Sequence, residues 1–390
     1  MKDIETGFDF QGEHPYHKNN NLQRDMYLDS RMQVVSMIFK DRAVFDPDYV
    51  PEQLLFRDLQ LRQLKYCIEP ALSNNSPLNA LCLGPPSTGK TSTIKHVLRS
   101  AGELGLRYSY IRCPRFKEPY RIFAKIFWDV FAQQPPSTGI SKALLMEKIW
   151  KRLDSPLIVV LDDLNFLSQN HVNEILYEIL KAPDEFGVKV GIIAAATDIR
   201  FPVKLDPFTG SIFHYTEILY PIYDYSEIRE ILRLRAKLGF YENCIEDDAF
   251  ERVVELAHRS GDVRYGIFLL KTAGMIAESR RSDKITLEDV ERANEGESIP
   301  FLVKILSALN SEERAVLRIV YSHNEISTGE LYELICREVR MSYRKFYNVL
   351  EKLERLKLVD VVFGEKGRGK TRYVYPRFDT TVLNKALEMI

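Results

Sequence analysis

The sequence predicts a parallel α/β sheet covered by helices on both faces, then an all-helical segment, then a C-terminal unit of helices and a β-hairpin. Three observations carry this reading. Apolar runs alternate with amphipathic helices from about residue 59 to residue 200, the pattern of a parallel sheet buried on both sides. Beyond Pro221 only helical periodicity remains, as far as about Asn294. Near the C-terminus a helix is followed by two β-like runs, LVDVVF and TRYVYP, joined by GEKGRGK.

The elements follow in order. Residues 1–30 are polar, include HKNNN, and are expected to be a flexible arm. Helices are expected over Ser30–Lys40 and Leu59–Leu72, and NALCLG reads as a buried strand. Thr91–Ala101 is helical and RYSYIRC is a second strand. Tyr120–Gln133 and Lys142–Leu153 carry helical periodicity, separated by the loop QQPPSTG. SPLIVVLDDL is an apolar strand ending in two carboxylates. Val172–Lys181 is helical, and VKVGIIAAATD is another apolar strand. SEIREILRLRAKLG, DDAFERVVELAHRS, DVRYGIFLLKTAGMIAES and TLEDVERAN are helices, the last opened by Thr286 with Asp289 as a capping partner. EGESIP reads as a linker. Helices then fall at Val303–Leu309, Ser311–Ser322, Thr328–Glu338 and Ser342–Leu356. The expected domains are 31–222, 223–297 and 298–390.

The chain of 390 residues exceeds one compact core, which agrees with several domains. Hydrophobic residues make up 45% and charged residues 28%, a globular balance. A formal net charge of −1 excludes an overall bias toward polyanions, so any nucleic-acid site must come from local segregation of charge. The five cysteines form no C-x-x-C pair, so neither a zinc site nor a disulfide framework is suggested. The N-terminus has no apolar signal region, and no apolar run reaches the roughly 20 residues of a membrane span. The expected location is the cytoplasm.

Two stretches, GPPSTGKT at Gly84–Thr91 and GEKGRGKT at Gly364–Thr371, fit the phosphate-binding pattern of Gly, four residues, Gly, Lys, Ser/Thr. Only the first lies between a strand and a helix. There the glycines let the backbone wrap a phosphate chain, and the helix N-terminus favours negative charge. The candidate nucleotide contacts are Gly84, Pro86, Ser87, Thr88, Gly89, Lys90, Thr91 and Ser92. Lys90 would neutralise the β- and γ-phosphates, and Thr91 would hold Mg2+ through its hydroxyl. LIVVLDDL supports this, because Asp162 at the end of an apolar strand supplies the carboxylate that such sites need for Mg2+.

The order of phosphate loop, acid-tipped strand, further strand and helical lid resembles the AAA+ ATPases. More narrowly, the chain resembles the archaeal initiator family related to the eukaryotic origin-recognition and cell-division-control proteins. DYVPEQLLFRD, GPPSTGKT, LIVVLDDLNFL, YPIYDYSEIREILRLRA and GDVRYGIFLLKTAGMIAE carry the likeness, in the family's order, across about residues 35–390. The resemblance implies an AAA+ sheet domain, a helical lid and a winged helix-turn-helix. It implies that Val50, Pro51 and Arg57 pack around adenine. Tyr223 and Arg235, matched to the first lid helix, would lie at the nucleotide. Arg264 matches the sensor 2 arginine that reaches the γ-phosphate. Asp162, Asp163, Thr197 and Arg264 are then the candidate catalytic residues, with ATP/ADP and Mg2+ as cofactors. Three departures stand out. Asp163 replaces the usual Glu, Thr197 stands where sensor 1 is often Asn, and Phe208 stands where an arginine finger is usual. Such a finger supplies about 10³–10⁵ in rate in related enzymes. Turnover is therefore expected to be slow, with the nucleotide acting as a long-lived conformational ligand.

The second glycine-rich match precedes β-branched and aromatic residues and then Pro376, which is the context of a hairpin. Helices followed by a hairpin give the order of a winged helix. In the candidate recognition helix Ser342–Leu356, residues Phe346, Val349, Leu350, Leu353 and Leu356 form the core face. Tyr343, Arg344, Lys345, Tyr347 and Asn348 are left for DNA. The wing adds Lys366, Gly367, Arg368, Gly369, Lys370 and Arg372. Lys and Arg outnumber Asp and Glu ten to four between residues 341 and 377, a local basic footprint in a near-neutral chain. The resemblance adds a DNA contact from the sheet domain, matched here by Arg115, Lys117 and Arg121 after Arg112. The expected function is an ATP-binding replication initiator on duplex origin DNA, associated with the nucleoid. Initiator paralogues and a replicative helicase are the further partners the resemblance implies. A transcriptional or signalling switch, and a clamp-loader-like scaffold with a protein-binding winged helix, are the alternatives.

Overall fold

The computed structural model describes residues 38–135, 140–198, 200–323, 325–339, 341–366, 369–378 and 380–389. The expected arm, most of the expected helix at 30–40, and Gly367 and Arg368 lie outside the described residues. Residues 38–40 are not helical. The described chain forms two compact units, one of residues 47–231 and one of 38–46 with 232–390.

The first unit is built on a five-stranded parallel sheet. Its strands are β1 (Asn79–Leu83), β2 (Arg107–Arg112), β3 (Leu157–Asp162), β4 (Val190–Ala196) and β5 (Tyr215–Leu219), in spatial order β2-β3-β4-β1-β5. Its helices are α1 (Asp58–Leu72), α2 (Lys90–Glu103), α3 (Pro119–Phe131), α4 (Lys142–Arg152), α5 (Gln169–Phe186) and the short α6 (Pro207–Ile212). Side chains of a strand alternate between faces, and the apolar runs divide accordingly. Leu81, Leu83, Val159, Leu161, Ile192 and Ala194 pack with residues of α3, α4 and α5. Ala80, Cys82, Ile158, Val160, Ile193 and Ala195 pack with residues of α1 and α2. The fifth strand was not expected from the sequence. It lies at the sheet edge with only Ile218 buried, so it presents no apolar run. The strand order sets the tips of β1, β4 and β3 side by side, and these tips carry the site.

The helix α7 (Tyr225–Gly239) contains the boundary between the units. The second unit continues with α8 (Asp247–Ser260), α9 (Val263–Ser279) and α10 (Leu287–Ser307). The segment at 38–46 belongs here. Phe39 and Phe45 pack on Phe240 with ring centroids 5.3 and 4.6 Å away, and Gly239 leaves the space, since a Cβ there would lie 2.2 Å from the Phe45 ring.

The expected linker EGESIP is corrected by the structure. Residues 295–300 lie inside α10, which is opened by Thr286 as expected and runs through Pro300 without a break. Val303–Leu309 is thus no separate helix but the end of α10 as far as Ser307. The polar composition that suggested a linker is that of a helix with one face in solvent.

The chain continues through α11 (Ser311–Tyr321), β6 (Ile326–Ser327), α12 (Thr328–Glu338), α13 (Tyr343–Arg355), β7 (Val359–Lys366), β8 (Gly369–Pro376) and α14 (Thr380–Glu388). The three strands form an antiparallel sheet in order β6-β8-β7, a winged-helix arrangement. Within this unit, Arg259 of α8 donates to the carbonyls of Pro376 and Phe378, and Arg377 donates to the carbonyl of Ser260 at 2.8 Å.

Candidate nucleotide site and nucleic-acid interface

The first phosphate-loop match spans the turn from β1 into α2. Both of its glycines are required by space and backbone. Gly84 has φ +156°, and a Cβ there would lie 2.3 Å from the carbonyl oxygen of Tyr220. Gly89 caps α2 at φ +90°, in the left-handed region, and a Cβ would meet the Tyr223 hydroxyl at 2.8 Å. Lys90, itself buried, donates from Nζ to the carbonyls of Gly84 and Pro85 at 2.6 and 2.7 Å, so the ammonium is folded against its own loop. Thr88 Oγ1 donates to Pro85 O at 2.8 Å. Pro86 is exposed, while Ser87 and Ser92 are half-buried.

Asp162 ends β3 and is only 2% exposed. Its Oδ2 accepts from Thr91 Oγ1 at 2.9 Å and also from the Tyr110 hydroxyl on β2. Its Oδ1 is buried and has no hydrogen-bond partner among the described residues. An unpaired buried carboxylate oxygen costs about 1–3 kcal/mol or more, and its place beside the Thr91 hydroxyl is where a divalent cation would be held. Among the described residues there is no group of three or more His, Cys, Asp or Glu that could cage a metal. The donor set therefore suits Mg2+, which keeps waters and takes substrate phosphates in addition to one or two protein oxygens. Burial, reinforced by the Asp162 charge, pushes the Tyr110 hydroxyl far above its usual range, so it is a donor at any working pH.

Asp163 follows at φ +58°, a left-handed conformation that Asp tolerates better than most residues. Thr197 stands just past the end of β4, and its backbone N–H donates to Asn165 Oδ1 at 3.1 Å. Asn165 thereby ties the β3 tip to the β4 tip. Phe208, in α6, is 78% exposed.

Arg57 is 2% exposed and acts as a clamp. Its Nε donates to Thr88 O at 2.8 Å, Nη1 to Phe56 O at 2.7 Å and Nη2 to Pro221 O at 2.8 Å. Its guanidinium lies 3.7 Å from the centroid of the Tyr223 ring. Burial lowers the Arg57 pKa and raises that of Tyr223. Val50 and Pro51 are buried in the same unit. Tyr223 was matched to the first lid helix, but it precedes α7 by two residues and packs in the first unit. Arg235 and Arg264 belong to the second unit. Arg235 donates to Val44 O at 2.7 Å, and Arg264 is exposed in the first turn of α9.

The second glycine-rich match is part of a ladder. Gly364 pairs with Thr371 and Lys366 with Gly369 across the β7–β8 hairpin, so the pattern's two ends face each other between two strands and not between a strand and a helix. On α13, Phe346, Val349, Leu350 and Leu353 are buried as expected, with Leu356 packed at the margin. Tyr343, Arg344, Lys345 and Asn348 are exposed and Tyr347 is half-buried. The Tyr343 and Tyr347 hydroxyls are 3.1 Å apart, and the Arg372 guanidinium lies 5.7 Å from the centroid of the Tyr347 ring. Lys345 pairs with Glu312 of α11. The wing's Lys366, Gly369 and Lys370 are on the ladder, and the side chains of the two lysines lie outside the described residues. In the first unit, Arg115, Lys117 and Arg121 are exposed in and after the β2–α3 loop, around the buried Phe116 ring.

Known proteins share this architecture. Residues 53–190 match the AAA ATPase domain family and residues 229–295 match the Cdc6 AAA+ ATPase-type lid domain. The ORC1-type DNA replication protein 2 of Archaeoglobus fulgidus is 66% identical over 354 residues, covering 90% of this chain and 94% of that protein. The chain belongs to the ORC1/Cdc6-type archaeal replication initiators. A second ORC1-type relative, from Methanothermobacter thermautotrophicus, is 39% identical over 359 residues, covering 89% of this initiator and 94% of the relative. The solved structure of the Aeropyrum pernix ORC1 protein in complex with DNA superposes with a TM-score of 0.64 at 30% identity, covering 91% of this chain and 97% of that one. The family membership makes the first unit an adenine-nucleotide-binding AAA+ domain.

Tyr110, Asn165 and Tyr220 were not singled out in the sequence. Tyr110 stands in the mixed strand RYSYIR, where nothing in the sequence marks it out, and an Asn two residues after Asp163 is the signal that points to the second.

Proposed function

We propose that this initiator binds duplex origin DNA through its C-terminal winged helix, and that ATP and ADP act as a slow conformational switch. The observation that carries the proposal is the pairing of two sites. One unit holds a phosphate loop whose Thr91 hydroxyl shares Asp162 with an unpaired carboxylate oxygen. The other holds a recognition helix whose exposed N-terminal turn adjoins Arg372. The DNA complex of the Aeropyrum pernix ORC1 protein supports the DNA assignment.

At the nucleotide, Lys90 offers its charge to the β- and γ-phosphates once it leaves the loop carbonyls. Thr91 and Asp162 would hold Mg2+, which when bound would neutralise charge on the phosphates. Arg57 keeps the loop in shape through Thr88, and Asp163 and Thr197 flank the γ-phosphate position. At the DNA, Arg344 and the wing residues Lys366, Arg368, Lys370 and Arg372 take phosphates. Tyr343, Tyr347 and Asn348 face the groove, and Lys345 joins after release from Glu312. Arg115, Lys117 and Arg121 form a second contact from the AAA+ domain. Paralogues and the replicative helicase are the proposed protein partners.

The test is fluorescence anisotropy on an origin duplex across a salt series. Arg344→Ala with Arg372→Ala should weaken binding and flatten the slope of log K against log salt by about 0.9 for each phosphate no longer neutralised. Fluorescent ATP should bind the double variant as it binds the parent. Lys90→Ala should lose ATP first. A double variant with unchanged DNA affinity refutes the winged-helix assignment.

A further inference from the structure

The hydrogen bond from Tyr110 to Asp162 has no part in the reading above. Tyr110 stands on the edge strand β2, in register with Val160 of β3, and so lies beside the tip that carries Asp162. Its hydroxyl and that of Thr91 both donate to Asp162 Oδ2, whereas Oδ1, in the same buried carboxylate, receives no hydrogen bond among the described residues. Two donors on one oxygen fix the rotation of a carboxylate, because turning it would exchange the paired oxygen for the bare one. Thr91 comes from α2 and Tyr110 from β2, so the two donors hold the group from separate elements.

We propose that Tyr110 is a positioning residue for divalent-cation binding, its hydroxyl holding the Asp162 carboxylate so that Oδ1 is the oxygen presented to the cation. The proposal rests on the reading of Asp162 as the cation-holding carboxylate. Groups that orient a metal ligand typically change metal affinity by about 10–100-fold when removed. With Thr91 still donating to the same oxygen, the effect here belongs at the lower end, about 10-fold. Tyr110→Phe keeps the ring, which packs at the edge of the α1–α2 core layer, and removes only the hydroxyl.

The experiment titrates MgCl2 into the full-length protein with a fluorescent ATP analogue and repeats the nucleotide titration in EDTA. It uses the parent, Tyr110→Phe and Asp162→Asn. The expected result is a Mg2+ midpoint raised about 10-fold in Tyr110→Phe, with nucleotide affinity in EDTA unchanged, and no Mg2+ response in Asp162→Asn. An unmoved midpoint in Tyr110→Phe, with the response abolished in Asp162→Asn, overturns the role of Tyr110 and leaves the Asp162 reading standing. A normal response in Asp162→Asn overturns both. An equal loss of affinity in EDTA makes Tyr110 a merely structural residue and also overturns the proposal.

Discussion

Replacing Arg57 by Ala separates two roles that the chain could give this residue, a contact to the adenine or a clamp on the phosphate loop. The guanidinium is 2% exposed and donates to three carbonyls, those of Thr88, Phe56 and Pro221, at 2.7–2.8 Å. Hydrogen bonds from a charged donor each contribute about 1.5–3 kcal/mol, and such terms are not additive. Deleting the donor leaves three carbonyl acceptors without it, at about 1–3 kcal/mol each where water is excluded, or about 3–9 kcal/mol for all three. Two of these three carbonyls lie at half-buried places where water can replace the donor, so the lower figure, about 3 kcal/mol, is the one to expect. For a domain of this size each kcal/mol moves the melting temperature by about 2–4 °C, which gives a fall of about 6–12 °C. Arg57→Lys keeps the charge but has one compact head for three carbonyls, so it should fall between parent and Ala. The assay is thermal unfolding followed by circular dichroism without nucleotide, paired with fluorescent ATP binding below the transition. A clamp predicts lower stability in the absence of nucleotide, accompanied by weaker ATP binding because Thr88 is no longer held. If Arg57→Ala loses ATP while its melting temperature stays with the parent's, Arg57 is a ligand contact and the clamp argument is wrong.

Three further outcomes test other parts of the molecule. Burial raises the Asp289 pKa, but Arg280, donating to both carboxylate oxygens, and Thr286 outweigh it and hold the group below its usual value. A depressed folded pKa stabilises above the unfolded value of about 3.9 and is lost as pH falls through the folded value. Asp289→Asn should therefore cost about 2 kcal/mol at neutral pH and approach the parent's stability below pH about 4, by melting curves across pH. Pro300→Ala should stabilise the second unit by as much as about 3 kcal/mol, read as a higher melting temperature, because Pro300 sits inside α10; an unchanged melting temperature would mean that the proline costs this helix nothing. Arg377→Ala removes the bonds to Ser260 O and Asp360 Oδ1 at 2.8 and 3.2 Å, and should speed hydrogen exchange in the loop after α8. Unchanged exchange there would mean that the Arg377 bridge contributes nothing.

The alternation of apolar strands with amphipathic helices determined the parallel sheet and its two core layers, because period-2 side chains have nowhere else to go. The local setting of GPPSTGKT determined the phosphate loop, since a strand before it and a helix after it are properties of neighbouring residues. By the same reasoning GEKGRGKT is a hairpin, and the ladder pairs its two ends. The edge strand β5 was illegible for the opposite reason, because a strand with one buried residue carries no apolar signal. EGESIP misled because helix continuity through polar residues and Pro300 is decided by packing of α10 within the second unit, not by local composition.

The residue types of the candidate site were thus fixed by sequence, but their partners were not. Lys90, Thr91 and Asp162 follow from spacing along the chain. That Arg57 clamps Thr88 and Pro221, that Tyr110 shares Asp162 with Thr91, and that Asp162 keeps one bare oxygen are matters of contact between residues 31–164 positions apart. Hydrogen bonds act over about 3 Å, so only the tertiary structure, which brings β1, β2 and β3 to one edge, could decide which groups meet.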